Sequence, residues 1–512
     1  MADFFAGDPS DATAWREAIA RASEHPVPRG AMADVLARQQ ERRGAPAEAR
    51  AAAARLADPS TVVIATGQQA GLFGGPLFTL VKAATAVRLA ASVTRQHGVP
   101  AVAVFWIDAE DHDWDEVATC HVLDKDLVRH PVTFTLDDAP ANRPVGAIPL
   151  DGIRATLDQL AAALPPTEFT EDLMAALADA YRPTETMAGA FGRWLERWLG
   201  PQGLVLFDSS DPAAKPLASR IFEDELREPG RTVELASAAG GALAARGYHA
   251  QVEGTPGSVA LFSLNDERHP IRRTEGGYQL GRDVARVEDL PAIARSEPGR
   301  FSPNVLLRPI VQDTLFPTVG YVAGPSELAY LAQLKPVYER FGVPMPLVQP
   351  RASLTVLDHA ASRFLSRHNV PLEALQPQDD SSLNALLAAE LPASVERALV
   401  EAGQAIDARM AELASGVTAI DRTLEGAVRS TIGRMQHDLR TLHGKIIQAA
   451  KRRDETLRRQ FSRARAQAFP DGQPQERAIG MVSFINRYGP AFVDQLLSDL
   501  PDDGGAHALV TL

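Results

Sequence analysis

The segment Thr61–Ala90 reads TVVIATGQQAGLFGGPLFTLVKAATAVRLA, and after a short link Val99–Glu116 reads VPAVAVFWIDAEDHDWDE. Val62, Val63 and Ile64 form an apolar, β-branched run, the composition of a strand. The run breaks into a loop with glycines at 67, 71, 74 and 75. Pro76 follows, where the first turn of a helix tolerates a missing N–H. From Pro76 to His97, the residues Leu77, Leu80, Val81, Ala84 and Val87 recur at helical spacing. A second strand, Val99–Ile107, ends in a dense cluster of acids: Asp108, Glu110, Asp111, Asp113, Asp115 and Glu116 surround His112. The pattern predicts a βαβ unit with polar chemistry at the carboxyl ends of both strands, the edge where open α/β sheets bind ligands. The loop would also leave backbone N–H groups free at a helix N-terminus, an arrangement suited to an anion.

The βα rhythm recurs outside this unit. Leu204–Asp208 reads as a short buried strand, Thr318–Val322 as another, Pro325–Phe341 as a helix and Pro344–Val348 as a further strand. Residues 1–60 read as helices (Trp15–Ala22, Ala31–Leu56), and 125–200 as mostly helical. Tyr248–Leu280 alternates and breaks at glycine, as inserted antiparallel strands do. Val417, Ile420, Leu424, Val428, Ile432, Met435, Leu439, Leu442, Ile446 and Ala449 advance by threes and fours along one long helix, a heptad-like stripe that cannot bury itself. A helix around Ser394–Leu413 is a candidate antiparallel partner. The fold class is therefore α/β: a Rossmann-like parallel-sheet core with inserted helical and antiparallel segments, plus a C-terminal α-helical coiled coil. The expected domains are a core over 1–375, with insertions at about 125–200 and 225–300, a coiled coil over 385–470, and a helical tail over 471–512 packing on the core.

The bulk properties narrow the function. Of 512 residues, 45% are hydrophobic and 23% charged, as in globular proteins. The net charge of −13 argues against a general nucleic-acid partner. The acidic N-terminus is no signal peptide, and no run approaches the roughly 20 apolar residues of a membrane span. A cytoplasmic protein is expected. The single cysteine, Cys120, excludes an internal disulfide and a cysteine-cluster metal site. Neighbouring carboxylates would raise its pKa, so it is not read as a nucleophile.

Candidate site residues follow from type and position. Gly67, Gly71 and Gly75 would let backbone approach a ligand, with Gln68 and Gln69 as side-chain donors. The loop is neither G-x-G-x-x-G nor a P-loop. The carboxylates Glu110, Asp111 and Asp113 could orient His112 as a general base, hold Mg²⁺ beside a phosphate, or bind an ammonium and sugar hydroxyls. One histidine without further nitrogen ligands speaks against zinc, and no metal ligand set is assigned. Arg308, in the apolar segment LLRPIVQDT with Gln312 and Asp313, suits bidentate capture of a carboxylate or phosphate. Lys82 and Arg351 are further cationic candidates, and Tyr321, with Gly324, Ser326 and Glu327, follows another strand end. The segment Arg429–Arg465 is strongly basic, densest at Lys451, Arg452, Arg453, Arg458 and Arg459. That run reads first as the solvated face of a long helix.

TGQQAGLFGGPLFTLVKA and FWIDAEDHDWDE resemble the signature segments of the BshC family, assigned as cysteine ligases of bacillithiol biosynthesis. Phe301–Ser353 (FSPNVLLRPIVQDTLFPTVGYVAGPSELAYLAQLKPVYERFGVPMPLVQPRAS) and, more weakly, Gln475–Leu497 (QERAIGMVSFINRYGPAFVDQLL) agree with it. The resemblance implies amide formation between cysteine and glucosaminyl-malate. Joining a free carboxylate to an amine is uphill in water, so ATP is the expected co-substrate, with Mg²⁺ accompanying it and no tightly bound cofactor. It further implies Arg308 as anchor for the malate carboxylates, His112 as proton acceptor, and a homodimer through the coiled coil. The strand, glycine loop and helix are also similar in layout to class I synthetase-type nucleotidyl transferases. The histidines of that signature are absent, however, with Pro76, Leu77 and Phe78 in the region. A second reading is a dimeric nucleotide- or RNA-binding scaffold without ligase chemistry.

Overall fold

A computed structural model describes residues 2–136, 142–255, 257–265, 267–275, 277–281, 290–389, 393–453, 455–501 and 507–512. By compactness the chain divides into Met1–Thr355 with Glu476–Val510, and Val356–Gln475 with the last two residues. The division lies earlier than the 375–385 interval read from the sequence. Helix His359–His368 supplies Ala361, Phe364 and Leu365 to the apolar core of the second unit, beside Leu457, Phe461 and Ala464.

The first unit is built on a five-stranded parallel sheet. Its strands are β1 (Val62–Gln69), β2 (Ala101–Asp108), β3 (Val205–Asp208), β4 (Thr318–Ala323) and β5 (Leu347–Pro350), in the spatial order β5-β4-β1-β2-β3. Strands β1 and β2 are buried on both faces, which explains their near-continuous apolar runs. Val63, Ala65, Val102, Val104, Trp106, Val205 and Phe207 point into one core with the helices of the N-terminal segment. On the other face lies α1 (Leu77–His97), the crossover from β1 to β2, closed at Gly98 in the left-handed region (φ 66°). Among the described residues α1 alone is long and apolar enough to cross a membrane, its alanines raising its hydropathy, but it serves here as a core helix with most of its length buried. The sheet order reverses beside β1: β2 and β3 extend to one side and β4 and β5 to the other. That is a topological switch point, and its crevice opens at the carboxyl ends of β1 and β4.

Several elements depart from the sequence reading for identifiable reasons. Strand β1 continues through Gly67 to Gln69, in register with Trp106 to Asp108, so Gly67 is a strand residue rather than part of the loop. A Cβ there would lie 2.7 Å from the Trp106 carbonyl oxygen; glycine is needed for the two backbones to approach. Ala31–Leu56 is two helices, Arg29–Arg43 and Ala47–Arg55, parted by Gly44 (φ 70°) and Pro46. Pro325–Phe341 likewise breaks into α2 (Pro325–Leu331) and Lys335–Phe341. The stretch after residue 125 begins not with helix but with a strand, Arg129–Thr133, which pairs antiparallel with Thr119–Leu123. The expected antiparallel insert is present as Ser258–Leu264, Arg268–Thr274 and Gly277–Leu280, extended by Phe301–Pro303.

In the second unit the long apolar stripe belongs to two helices, Ala393–Ile420 and Glu425–Arg453, folded back at Asp421–Leu424. Gln436 donates to Asp407 at 2.7 Å, and His443 Nε2 lies 3.1 Å from Glu396. The two pairs advance in opposite directions along the chain, so the hairpin is antiparallel. The side chains of Lys451, Arg452 and Arg453, part of the basic run, lie outside the described residues.

Substituting Gly67→Ala forces β1 from β2 against a backbone atom. Thermal or denaturant unfolding should show a loss of about 1–3 kcal/mol, against a small gain for Gly433→Ala, in a helix interior where the added Cβ meets no neighbour.

Candidate active site

A cavity of about 580 Å³ opens across the carboxyl edge of the sheet. Four of the five strands contribute: Asp108 ends β2, Gly67–Gln69 end β1, Gly324 follows β4 and Arg351 follows β5. Phe262 and Arg268, from the antiparallel insert, form a further wall.

The acid loop after β2 sorts its carboxylates by direction. Asp111 faces the cavity and accepts from Gln69 Nε2 at 2.7 Å and from the His112 backbone N–H at 2.8 Å. Burial opposes its ionisation, yet the Gln69 hydrogen bond, the Arg268 charge and the His112 amide hold its pKa below the usual aspartate range. The same Gln69 nitrogen reaches Glu116 at 2.8 Å, so one amide ties β1 to two carboxylates. His112 Nδ1 lies 3.4 Å from Arg268 Nη1 and 3.6 Å from Asp111 Oδ1. Both separations are longer than a good hydrogen bond, and the ring is about a third exposed.

Glu110 and Asp113, expected in the catalytic group, are elsewhere. Glu110 turns into the protein, buried and paired with Lys215, which also donates to the Phe301 carbonyl at 3.0 Å. Burial raises its pKa against the pull of that ammonium. Its neighbour Asp111 therefore faces the cavity from a loop anchored on its other side. Asp113 caps the short helix Trp114–Val117, accepting from the Glu116 N–H at 3.3 Å, and does not line the cavity.

The cations are mostly committed. Arg308 lines the cavity, but its guanidinium meets Asp108 at 2.8 Å and donates to Tyr330 Oη at 3.1 Å. Burial disfavours its charge, and Asp108 outweighs that, holding its pKa well above the ordinary value. Arg308 thus organises the acidic wall and has its charge already matched. Lys82 is wholly buried. It donates to the Gly67 carbonyl at 2.5 Å and forms an ion pair with Glu327. Burial lowers its pKa, opposed by Glu327. Glu327 also accepts from the Gly324 N–H and from Tyr321 Oη, each at 2.8 Å. Tyr321 therefore reaches the cavity only through Glu327. Arg351 meets Glu476 through both oxygens, at 2.9 and 2.5 Å.

Gln312 and Asp313 are buried in the core, away from the cavity. Asp313 accepts from Gln312 at 3.0 Å and from Tyr338 Oη at 2.5 Å, and burial pushes its carboxyl up to about 6. Gly71 and Gly75 form a packing turn rather than a ligand cradle. A Cβ on Gly71 would lie 2.9 Å from Gly75 Cα. The nearby N–H groups are taken: Gly74 by Gly71 O and Tyr181 Oη, Gly75 by Leu72 O, and Leu77 by Ile479 O. The N–H groups of Gly74, Gly75 and Leu77, expected to be free for an anion, are thus already bound by protein. Cys120 is buried, its pKa pushed up to about 12 by desolvation, so it is inert, through burial rather than through carboxylate neighbours.

The lining residues not singled out from sequence include Phe262, Arg268 and Arg477. Arg268 is one of several arginines in an alternating strand, with no local mark of its role. Arg477 did lie within a quoted segment, Gln475–Leu497.

A Rossmann-like sheet with a polar cleft at its switch point, in a chain that also carries a helical hairpin, defines an α/β enzyme of two-part construction. Residues 1–352 match the family described as bacillithiol biosynthesis BshC, N-terminal Rossmann-like domain, and residues 354–512 match its C-terminal coiled-coil domain. The chain belongs to the BshC family, and with it to the ligase-type enzymes. It is 36% identical to the "Putative cysteine ligase BshC" of Salinibacter ruber, over 100% of this chain and 94% of that protein. The proteins of the same name from Koribacter versatilis and Geobacillus thermodenitrificans are 34% and 30% identical, over 92% and 98% of this chain and 88% and 94% of theirs. The scaffold reading gains no support from these relatives.

Glu327→Gln would leave the Lys82 ammonium buried without its counter-charge. The expected loss at neutral pH is about 3–5 kcal/mol. Lys82 then has a folded pKa further below its unfolded value, so the unfolded chain binds more protons and stability rises with pH up to the unfolded lysine range near 10.5. Denaturation of the variant from pH 7 to 10 should show that recovery, and Lys82→Met with Glu327→Gln should restore much of the loss.

Proposed function

We propose that this protein joins the carboxyl group of cysteine to the amine of glucosaminyl-malate, with ATP as co-substrate, forming bacillithiol in the cytoplasm. The observation that supports this reading is the convergence of Gln69, Asp111, His112 and Glu116 in one cleft with Lys82, Arg308 and Arg351. An ammonium fits the acidic wall, and a polyhydroxylated sugar fits a surface dense in fixed donors and acceptors.

ATP activates the cysteine carboxyl as an acyl phosphate or acyl adenylate. The amine nitrogen then attacks the acyl carbon, the C–N bond forms, and phosphate or AMP departs. The acceptor amine is protonated at neutral pH and must lose a proton before attack and another as the amide forms. The first leaves to solvent; His112 accepts the second, and Asp111, held ionised by Gln69 and Arg268, stabilises the resulting imidazolium. Glu116 and Asp111 hold the ammonium in place beforehand, so much of the rate comes from positioning. The Gly74, Gly75 and Leu77 amides, already bound by protein, do not fit a phosphate cradle, so no step is routed through that turn. Among the described residues no cluster of His, Cys, Asp or Glu suits a resident metal. Mg²⁺ is proposed only as the companion of the nucleotide.

The homodimer belongs to the same proposal. The helical hairpin exposes Val400, Leu413, Met435 and Leu442, each at least 41% accessible. A second copy of the hairpin would cover this apolar surface.

Purified protein supplied with cysteine, glucosaminyl-malate, ATP and Mg²⁺ should yield the amide. His112→Ala and Asp111→Asn should each lower kcat by about 10²–10⁴, with smaller changes in KM. Full activity of both variants would defeat the assigned roles, and absence of amide product with the wild-type chain would defeat the reaction.

A further inference from the structure

Pairing the charges that line the cavity leaves two unmatched among the described residues. Lys82 pairs with Glu327, Arg308 with Asp108, Arg351 with Glu476, and Arg268 approaches Asp111 at 3.4 Å. Glu116 has a neutral partner only, the Gln69 amide. Arg477 meets no carboxylate; its guanidinium lies 5.8 Å from the centre of the Phe78 ring. Arg351 lies 5.5 Å from the same ring centre, so one half-buried aromatic side chain in the first turn of α1 is approached by both guanidinium groups. Glu476, the residue before Arg477, accepts from Arg351 and from the Leu354 N–H. The backbone that carries Arg477 is thereby clamped, while Arg477 itself remains exposed and lines the cavity.

The two unmatched charges stand at opposite ends. Arg351, whose partner Glu476 adjoins Arg477, follows β5, whereas Asp111 and Glu116 follow β2. In the order β5-β4-β1-β2 these ends are three strand spacings apart, about 14 Å, and long side chains reach inward from each. The cleft is therefore electrically polar along the sheet edge, anionic toward β2 and cationic toward β5.

We infer that Arg477, held against Phe78 at the β5 end of the cleft, is the subsite for the dicarboxylate end of the acceptor and sets the direction in which the acceptor lies, with its amine toward Glu116, Asp111 and His112. The inference rests on the ligase reading and extends it to a named specificity residue. Arg308, with its charge matched by Asp108, does not serve as that anchor. The chemistry recognised is a group of several anionic oxygens, for which a planar guanidinium offers paired donors. A nucleotide phosphate presents the same chemistry, and the test separates the two.

Titration calorimetry on the full-length chain would compare wild type, Arg477→Gln and Arg477→Lys with three probes: glucosaminyl-malate, methyl glucosaminide and Mg-ATP. Arg477→Gln should weaken glucosaminyl-malate by about ten- to hundredfold, leave the other two unchanged and leave the unfolding midpoint in place, with Arg477→Lys intermediate. Unchanged affinity for glucosaminyl-malate, an equal loss with methyl glucosaminide, or a loss confined to Mg-ATP would each overturn the assignment. Binding is read without turnover. A chain that binds as expected but forms no amide refutes the reaction and spares the subsite; a chain that forms amide with unaltered acceptor KM in Arg477→Gln refutes the subsite and spares the reaction.

Discussion

The buried ammonium of Lys82 is the point on which the cleft depends. It leaves α1 one turn into the helix and ends between the Gly67 carbonyl of β1 and the Glu327 carboxylate of α2. A charge so fully removed from water is tolerable only with a partner and with hydrogen bonds. Each group it touches is also bound elsewhere: Gly67 is packed against Trp106, and Glu327 holds Gly324 and Tyr321. The geometry of the β1 and β4 ends is therefore over-determined by one side chain, and the sheet edge presents a preformed surface.

The remaining charges repeat that logic with a different result. Burial sends Glu110 to Lys215, behind the cavity wall, and Arg351, at the wall, to Glu476, fixing the acid loop and the segment at Glu476 by ion pairs. Asp111 is turned inward by Gln69 and Arg268. Neighbouring residues in sequence are thus separated in role by the direction each faces. Asp113 is a helix cap, Asp111 a cavity carboxylate and Glu110 half of a buried pair, though the three are nearly contiguous. What is left after pairing, Glu116 at one end and Arg477 at the other, is what a ligand of opposite polarity can address.

Much of the fold was legible because its strongest signals are local. The β-branched run at Val62–Ile64, the helical spacing from Leu77 and the apolar run before Asp108 report hydrophobic periodicity, which needs no knowledge of distant residues. The missed breaks have local chemistry too, in Gly44 and Pro46, but alanine-rich flanks masked it. The heptad-like stripe was read across the turn at Asp421–Leu424 because apolar residues keep the spacing of threes and fours through it, at Val417, Ile420, Leu424 and Val428. Gly67 misled differently. Glycine usually marks a turn, whereas here it marks contact with the neighbouring strand, a partner 39 residues away in sequence order.

By itself the sequence determined the α/β class, the alternation of strand and helix, the helical character of residues 393–468, and the strand ends where polar residues gather. It also carried the family resemblance, through segments whose order along the chain is preserved. Only the tertiary structure decided which of those polar residues share a cleft, which are neutralised by ion pairs, and which face away. The reason is physical. Secondary structure follows from side-chain periodicity and backbone sterics over a few residues. A charge in a site takes its meaning from burial and partners, and the partners of Lys82, Arg308 and Arg351 are brought to them from 245, 200 and 125 residues away by the packing of the sheet.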